Sequence, residues 1–187
     1  MKRFIFILVL CSLSLKCFAQ QDSINQYRIF KSLLLGGQVG YSYEKNSFLT
    51  LGGGAFYMGG LLAVEAGYKY KMAFAPIMNG HEIYFDLGIG LPPYSSIACN
   101  YLMLGAVYNT VLDEVKTNYQ YIRPEVGLLI PGGVILKTKS LSNKANTISF
   151  TIKASYGYNI FLKNQTTSDL GNHVFSIGVL IGYGITL

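Results

Sequence analysis

Charge is scarce in this chain. Only 13% of its 187 residues are Asp, Glu, Lys or Arg, against about 25% in an average soluble domain. That excludes the densely charged surface of an ordinary soluble protein. Tryptophan is absent, and histidine occurs twice. Of three cysteines, Cys11 and Cys17 lie near the N-terminus and Cys99 stands alone in the body. A lone thiol forms no internal disulfide. Without a Cys or His cluster at ligand spacing, neither a structural zinc site nor a dithiol redox centre is expected. Past residue 19 there is no run of about 18 apolar residues, so no transmembrane helix is expected. The longest candidate, residues 126–136, is broken by Pro131-Gly132-Gly133.

What is present is apolar and aromatic. Hydrophobic residues make up 51% of the chain, with 15 Tyr, 11 Phe and 21 Gly. Mean hydropathy is +0.34, too high for a disordered segment. Met1-Lys2-Arg3 opens a basic start, Phe4 to Leu15 is apolar, and Cys17-Phe18-Ala19 follows. This is the pattern of a secretory signal peptide over residues 1–19, cut between Ala19 and Gln20. The apolar run is too short to cross about 30 Å as a helix. Lys16 before Cys17 and Leu10 before Cys11 disfavour a lipoprotein signal, which wants a small residue there. Removing 19 residues from 187 leaves 168, one domain's worth. Lys2, Arg3 and Lys16 leave too, so fifteen basic residues fall to twelve against nine acids, and +6 falls to +3. A nucleic-acid partner thereby loses its electrostatic support.

The body alternates with period two, the signature of strands. Leu62, Val64, Ala66, Tyr68, Tyr70 and Met72 share one face; Leu61, Ala63, Glu65, Gly67, Lys69 and Lys71 share the other. Ile83, Phe85, Leu87, Ile89 and Leu91 likewise oppose Glu82, Tyr84, Asp86, Gly88 and Gly90. The same scheme runs through 150–162 and 175–187, and with more noise through 33–43, 48–57 and 119–130. Residues 100–110 are apolar on both parities and cannot be phased. That totals eight strands of about 9–11 residues, the length of a tilted membrane strand. Turn signals separate them at Glu44-Lys45-Asn46-Ser47, Met58-Gly59-Gly60, Asn79-Gly80, Pro92-Pro93, Asp113-Glu114, Pro131-Gly132-Gly133 and 164–172. The expected fold is all-β, an eight-stranded antiparallel up-and-down transmembrane β-barrel over residues 30–187, preceded by an N-terminal periplasmic segment, 20–29.

The two faces decide which side meets water. The polar face carries Gly, Ser, Thr, Asn and a lumen charge network of Glu65, Lys69, Glu82, Asp86, Arg123, Glu125 and Lys153, three basic against four acidic. A solvated outer surface would be richer in charge and poorer in glycine. In a membrane, each Arg or Lys turned to lipid near the midplane costs roughly 2–4 kcal/mol. The charges therefore belong inside and the apolar face outside. The alternative is a soluble periplasmic calycin-like binding barrel with the faces reversed. It lacks the early Gly-x-Trp of that superfamily, because the chain has no Trp. Tyr41, Tyr43, Tyr57, Tyr68, Tyr70, Tyr156, Tyr158 and Tyr183 are placed as interfacial aromatics.

With these patterns the chain resembles the small eight-stranded outer-membrane barrels of Gram-negative bacteria, the OmpA/OmpX-like superfamily, over residues 30–187. More narrowly, Tyr121-Ile122-Arg123-Pro124-Glu125-Val126-Gly127 and Tyr156-Gly157-Tyr158-Asn159 look like motifs of a poorly characterised barrel group. The resemblance implies outer-membrane lipids as surroundings and barrel-assembly machinery as a partner during insertion. Such proteins usually end in an aromatic residue; this chain ends Gly182-Tyr183-Gly184-Ile185-Thr186-Leu187. An even strand count puts both termini in the periplasm and outer loops near 44–47, 73–81, 111–118 and 163–172. Segment 131–148 would then be an unusually long periplasmic turn, unless it extends strands six and seven or the strand count fails there.

No catalysis, cofactor or metal is expected. The only histidines are His81 and His173, and His173 and Ser176 fall on opposite faces of a strand, so a lipid-facing Ser–His pair is not formed. Gly36-Gly37 and Gly52-Gly53-Gly54 lack the Lys-Ser/Thr and strand-to-helix context of a phosphate loop. Asn164-Gln165-Thr166 reads as polar loop. An eight-stranded barrel is just wide enough for its side chains to fill, so the expected role is structural or interaction, with an unidentified envelope partner. A small-ligand binding or transport barrel is the alternative.

Overall fold

The structure, a computed structural model, describes residues 31–59, 61–74, 77–91, 100–112, 118–136, 146–162 and 170–186. The expected leader with its expected Ala19–Gln20 junction, segment 20–29, Pro92-Pro93, Cys99, Asp113-Glu114, Asn164-Gln165-Thr166 and Leu187 lie outside them. No helix among the described residues is long and apolar enough to cross a membrane.

Nine strand segments follow one another: β1 Lys31–Glu44, β2 Asn46–Gly59, β3 Leu62–Phe74, β4 Ile77–Leu91, β5 Asn100–Leu112, β6 Asn118–Leu136, β7 Asn146–Tyr158, β8 Ile160–Phe161 and β9 His173–Thr186. Among the described residues, β1 to β7 pair antiparallel in succession, β8 pairs with β6, β7 pairs with β9, and β9 returns to pair with β1. The sheet therefore closes into a barrel of eight staves. β8 is the continuation of β7: the β6 pairing Glu125↔Gly157 resumes in unchanged register at Ile122↔Ile160. The interruption, at Asn159, falls opposite Arg123 and next to Pro124, which has no N–H to give a ladder.

Closure fixes the geometry. Following direct partners from Leu33 leads through Tyr57, Val64, Leu87, Leu104, Val126, Tyr156 and Phe175 to Tyr43, ten residues along the starting strand. With about 3.3 Å per residue and about 4.8 Å between strands, a stagger of ten over eight staves tilts them by about 40°, inside the usual range for barrels.

Several boundaries differ from the sequence expectation. The strands run to 13–15 residues, and β6 to 19, longer than the 9–11 expected. Asn79-Gly80 is not a turn but part of β4; Phe74 pairs with Ile77, so the reversal lies between them. The first hairpin is tighter than Glu44-Lys45-Asn46-Ser47: Glu44 pairs with Asn46, and Lys45 alone takes a left-handed φ of 73°. Pro131-Gly132-Gly133 lies within β6, pairing with Thr151, Phe150 and Ser149 of β7. Described β5 pairing stops at Leu129, and proline is tolerated where a strand borders a sheet edge. Segment 131–148 thus extends β6 and β7 through Leu136↔Asn146. Leu61 precedes β3 and is exposed rather than inward.

All nine charged residues of the strands from residue 32 onward face inward. The outer face is Leu33, Leu35, Val39, Ile83, Phe85, Leu87, Ile89, Ile177, Ile181 and their like. β5 also gains its phase: Tyr101, Met103, Val107, Asn109 and Val111 are buried inward, and Leu102, Leu104 and Tyr108 face out.

Closure is directly testable. Val39 and Val179 are direct partners across the β1–β9 seam, within disulfide reach for antiparallel neighbours. In a Cys99→Ser background, Val39→Cys with Val179→Cys is expected to oxidise to an intramolecular disulfide in the folded protein, read as a two-proton mass loss. Val39→Cys with Ile185→Cys, six residues off register, is expected not to. An open sheet would cross-link neither.

Candidate functional site

The interior is built in three layers. At the end that carries both described termini, Leu34, Phe56, Ala63, Tyr101, Met103, Leu129 and Leu180 form an apolar cluster. At the opposite, hairpin end, Phe48, Ala73, Met78, Val111, Tyr119, Tyr121 and Leu170 form a second. Between them lie nine ionisable side chains. These side chains are mostly buried, and an unpaired buried charge costs several kcal/mol, so partners are needed.

The pairs fall into two groups joined by one arginine. Toward the hairpin end, the Lys71 ammonium bonds Glu44 and lies 3.5 Å from Glu82. Arg123 Nη1 donates to Glu44 at 3.1 Å and Glu82 at 3.2 Å. Deeper in, Lys153 Nζ meets Asp86 at 2.5 Å, Glu125 at 3.2 Å and Glu65 at 3.3 Å. Arg123 Nε reaches Glu125 at 3.3 Å and links the groups. Lys69 makes no ion pair among the described residues; its ammonium lies 4.3 Å from the centroid of the Tyr84 ring. Gln38 donates to the Tyr84 hydroxyl.

Six of the seven charges expected in the lumen thus meet in ion pairs, and Lys69 lies over an aromatic face beside them. Two members of the network were missing from that set. Lys71 shares the parity of Glu65 and Lys69, and that parity alone could have included it. Glu44 shares the parity of Gln38, Gly40 and Ser42, but its place beside Lys45-Asn46 gave it the look of a turn residue. It is the most heavily used acceptor: Lys71, Arg123, Tyr121 at 2.9 Å and Asn159 at 3.3 Å all donate to its carboxylate. Asn159 also donates to the Gly171 carbonyl, and the Gly171 N–H to the Glu44 carbonyl.

Glycine makes the room. A Cβ on Gly54 or Gly67 would fall within 2.6 Å of the Tyr84 hydroxyl, and one on Gly157 2.6 Å from Arg123 Cγ. These three glycines are seats for large side chains of other strands. A cavity of about 20 Å³ lies beside Gln38, Ser42, Thr50, Lys69 and Arg123, room for about one water. Among the described residues no group of His, Cys, Asp and Glu has the arrangement of a metal site. Ser176 bonds Ser155 inside the barrel, while His173 bonds Tyr156 outside.

The eight tyrosines placed at interfaces all sit on the outer parity. Tyr41, Tyr43, Tyr68, Tyr156, Tyr158 and Tyr183 are exposed, with Tyr57 and Tyr70 half-buried. Tyr41, Tyr43, Tyr68, Tyr70, Tyr156 and Tyr158 lie toward the hairpin end, and Tyr57 and Tyr183 toward the other. The strands continue past them: β3 runs four residues beyond Tyr70.

No family model and no curated protein matches the chain. Among solved structures, the crystal structure of neisserial surface protein A is similar, covering 84% of this chain and 97% of its own at 11% identity and a TM-score of 0.49. That likeness is too distant to carry a function across.

Arg123→Ala is expected to destabilise the barrel by about 3–5 kcal/mol, because Glu44, Glu82 and Glu125 lose a shared buried partner. Adding Glu44→Gln to Arg123→Ala is expected to cost less than the sum of the two single changes, since each relieves a charge the other strands. Equilibrium urea unfolding of the four proteins measures both.

Proposed function

We propose that this chain is an integral β-barrel of a Gram-negative outer membrane. Its leader is cleaved between Ala19 and Gln20, and it serves a structural or interaction role without catalysis. One observation carries this: polarity is inverted, with apolar side chains over the outside and every described strand charge from residue 32 onward within. On β9, Phe175 and Tyr183 bracket Ile177 and Ile181. Eight residues at about 3.3 Å each, tilted by about 40°, separate them by about 20 Å of height, close to the roughly 25 Å apolar band of membrane barrels.

The lumen reading follows from the layers. Two apolar clusters with a paired ion network between them support a lumen filled by side chains rather than a ligand-carrying interior. Outer-membrane lipids are then its solvent, the barrel-assembly machinery its partner during insertion, and any lasting envelope partner meets the ends or the outer wall.

The test is a gel and a conductance trace. Detergent-extracted protein from the outer-membrane fraction is expected to migrate differently unboiled and boiled, because a closed barrel keeps its shape until heated. In planar bilayers it is expected to give no steady channel steps. A soluble periplasmic protein with no mobility shift would overturn the membrane reading, and a stable ohmic conductance would overturn the closed lumen.

A further inference from the structure

Both histidines of the chain stand in the same construction on the outer wall. β3 carries Tyr68 and Tyr70, β7 carries Tyr156 and Tyr158, and in register His81 lies directly opposite Tyr70 and His173 directly opposite Tyr158. In each case the earlier tyrosine reaches diagonally across the strands. Tyr68 Oη lies 2.5 Å from His81 Nδ1, and Tyr156 Oη 2.6 Å from His173 Nδ1. The later tyrosine packs its ring on the imidazole, with centroids 5.4 Å apart for Tyr70–His81 and 5.3 Å for Tyr158–His173. β1 repeats the diagonal with a serine: Tyr41 Oη bonds Ser47 Oγ at 2.6 Å, and Ser47 lies opposite Tyr43.

The two histidine sites are four staves apart in a ring of eight, on opposite sides of the barrel. Allowing for the ten-residue stagger, they stand within about one residue's rise of the same height. A phenol that donates to Nδ1 leaves the proton of a neutral imidazole on Nε2. Each site then offers an N–H on an exposed side chain at the aromatic belt. In hydrocarbon such a donor has no acceptor and costs several kcal/mol. At the headgroup level the strongest acceptors are the anionic phosphodiester oxygens of the lipids.

We propose that His81 and His173 are paired lipid-phosphate sites, each donating Nε2–H to a headgroup phosphate. Their phenolic partners, Tyr68 and Tyr156, set the tautomer. Two such contacts on opposite walls fix the depth and tilt of the barrel in the leaflet at its hairpin end. The inference rests on the membrane reading above.

With only two histidines in the chain, ¹⁵N-histidine labelling reports these sites alone. The protein is folded into vesicles of phosphatidylethanolamine and phosphatidylglycerol, and solid-state NMR measures ¹⁵N–³¹P dephasing. Both Nε2 signals are expected to carry the proton and to dephase against lipid phosphorus. Tyr68→Phe is expected to weaken the effect at His81 only, and Tyr156→Phe at His173 only, with heat-dependent gel mobility unchanged. A protein that is folded in the vesicles but shows no dephasing, or the Nδ1–H tautomer, overturns this inference and leaves the membrane reading standing. A protein that does not enter the vesicles overturns both.

Discussion

The Glu44 carboxylate receives donors from β3, β6 and the junction of β7 with β8, while its own backbone carbonyl holds Gly171 just before β9. One acidic group at the tip of the first strand thus ties together elements from the whole length of the chain. Its position matters because Lys45 turns the chain at once and leaves Glu44 no freedom to withdraw. The rest of the interior depends on this constraint. Lys71 and Arg123 are shared between Glu44 and Glu82, Arg123 passes the linkage to Glu125, and Glu125 passes it to Lys153.

Such a network is a poor source of stability and a strong source of specificity. Removing ions from water costs several kcal/mol each, and pairing does little more than offset it. What the charges add is phase. A barrel apolar on both faces would lose little if one strand slipped by a residue, although the slip turns every side chain to the other side. Here a slip of β3 would turn Glu65, Lys69 and Lys71 outward together. At roughly 2–4 kcal/mol for each basic residue in lipid, the wrong register is excluded by energies comparable to the stability of a domain.

The same logic explains what could be read from sequence. Strands β3, β4 and β7 were legible because their inner faces cross the charged layer, where polarity and parity coincide. Residues 100–110 could not be phased because β5 lines the lumen with Tyr101, Met103, Val107 and Val111, contributing to the apolar layers at both ends. Leu34, Phe56, Leu129 and Leu180 are inward for the same reason, and composition alone cannot tell them from outward-facing leucines. Asn79-Gly80 and Pro131-Gly132-Gly133 carry turn chemistry, yet they lie in strands. At Gly80 a side chain would crowd the Thr110 carbonyl and Lys71, so its glycine serves packing rather than reversal. Glu44 was missed because a hairpin with one residue between its paired strand ends is shorter than the four-residue turn its sequence suggests.

The barrel is tied through its middle by ion pairs that lie between two apolar clusters. Its two ends are also unlike. At the hairpin end, the Lys45 reversal is tight, and the wall below it is banded with tyrosine and both histidines. At the other end, β6 and β7 continue through Leu136 and Asn146, with β9 alongside to Ile185. Ion pairs that join β1, β3, β4, β6 and β7 across the lumen hold these staves in one register, and that register sets the positions of the aromatic residues on the outer wall.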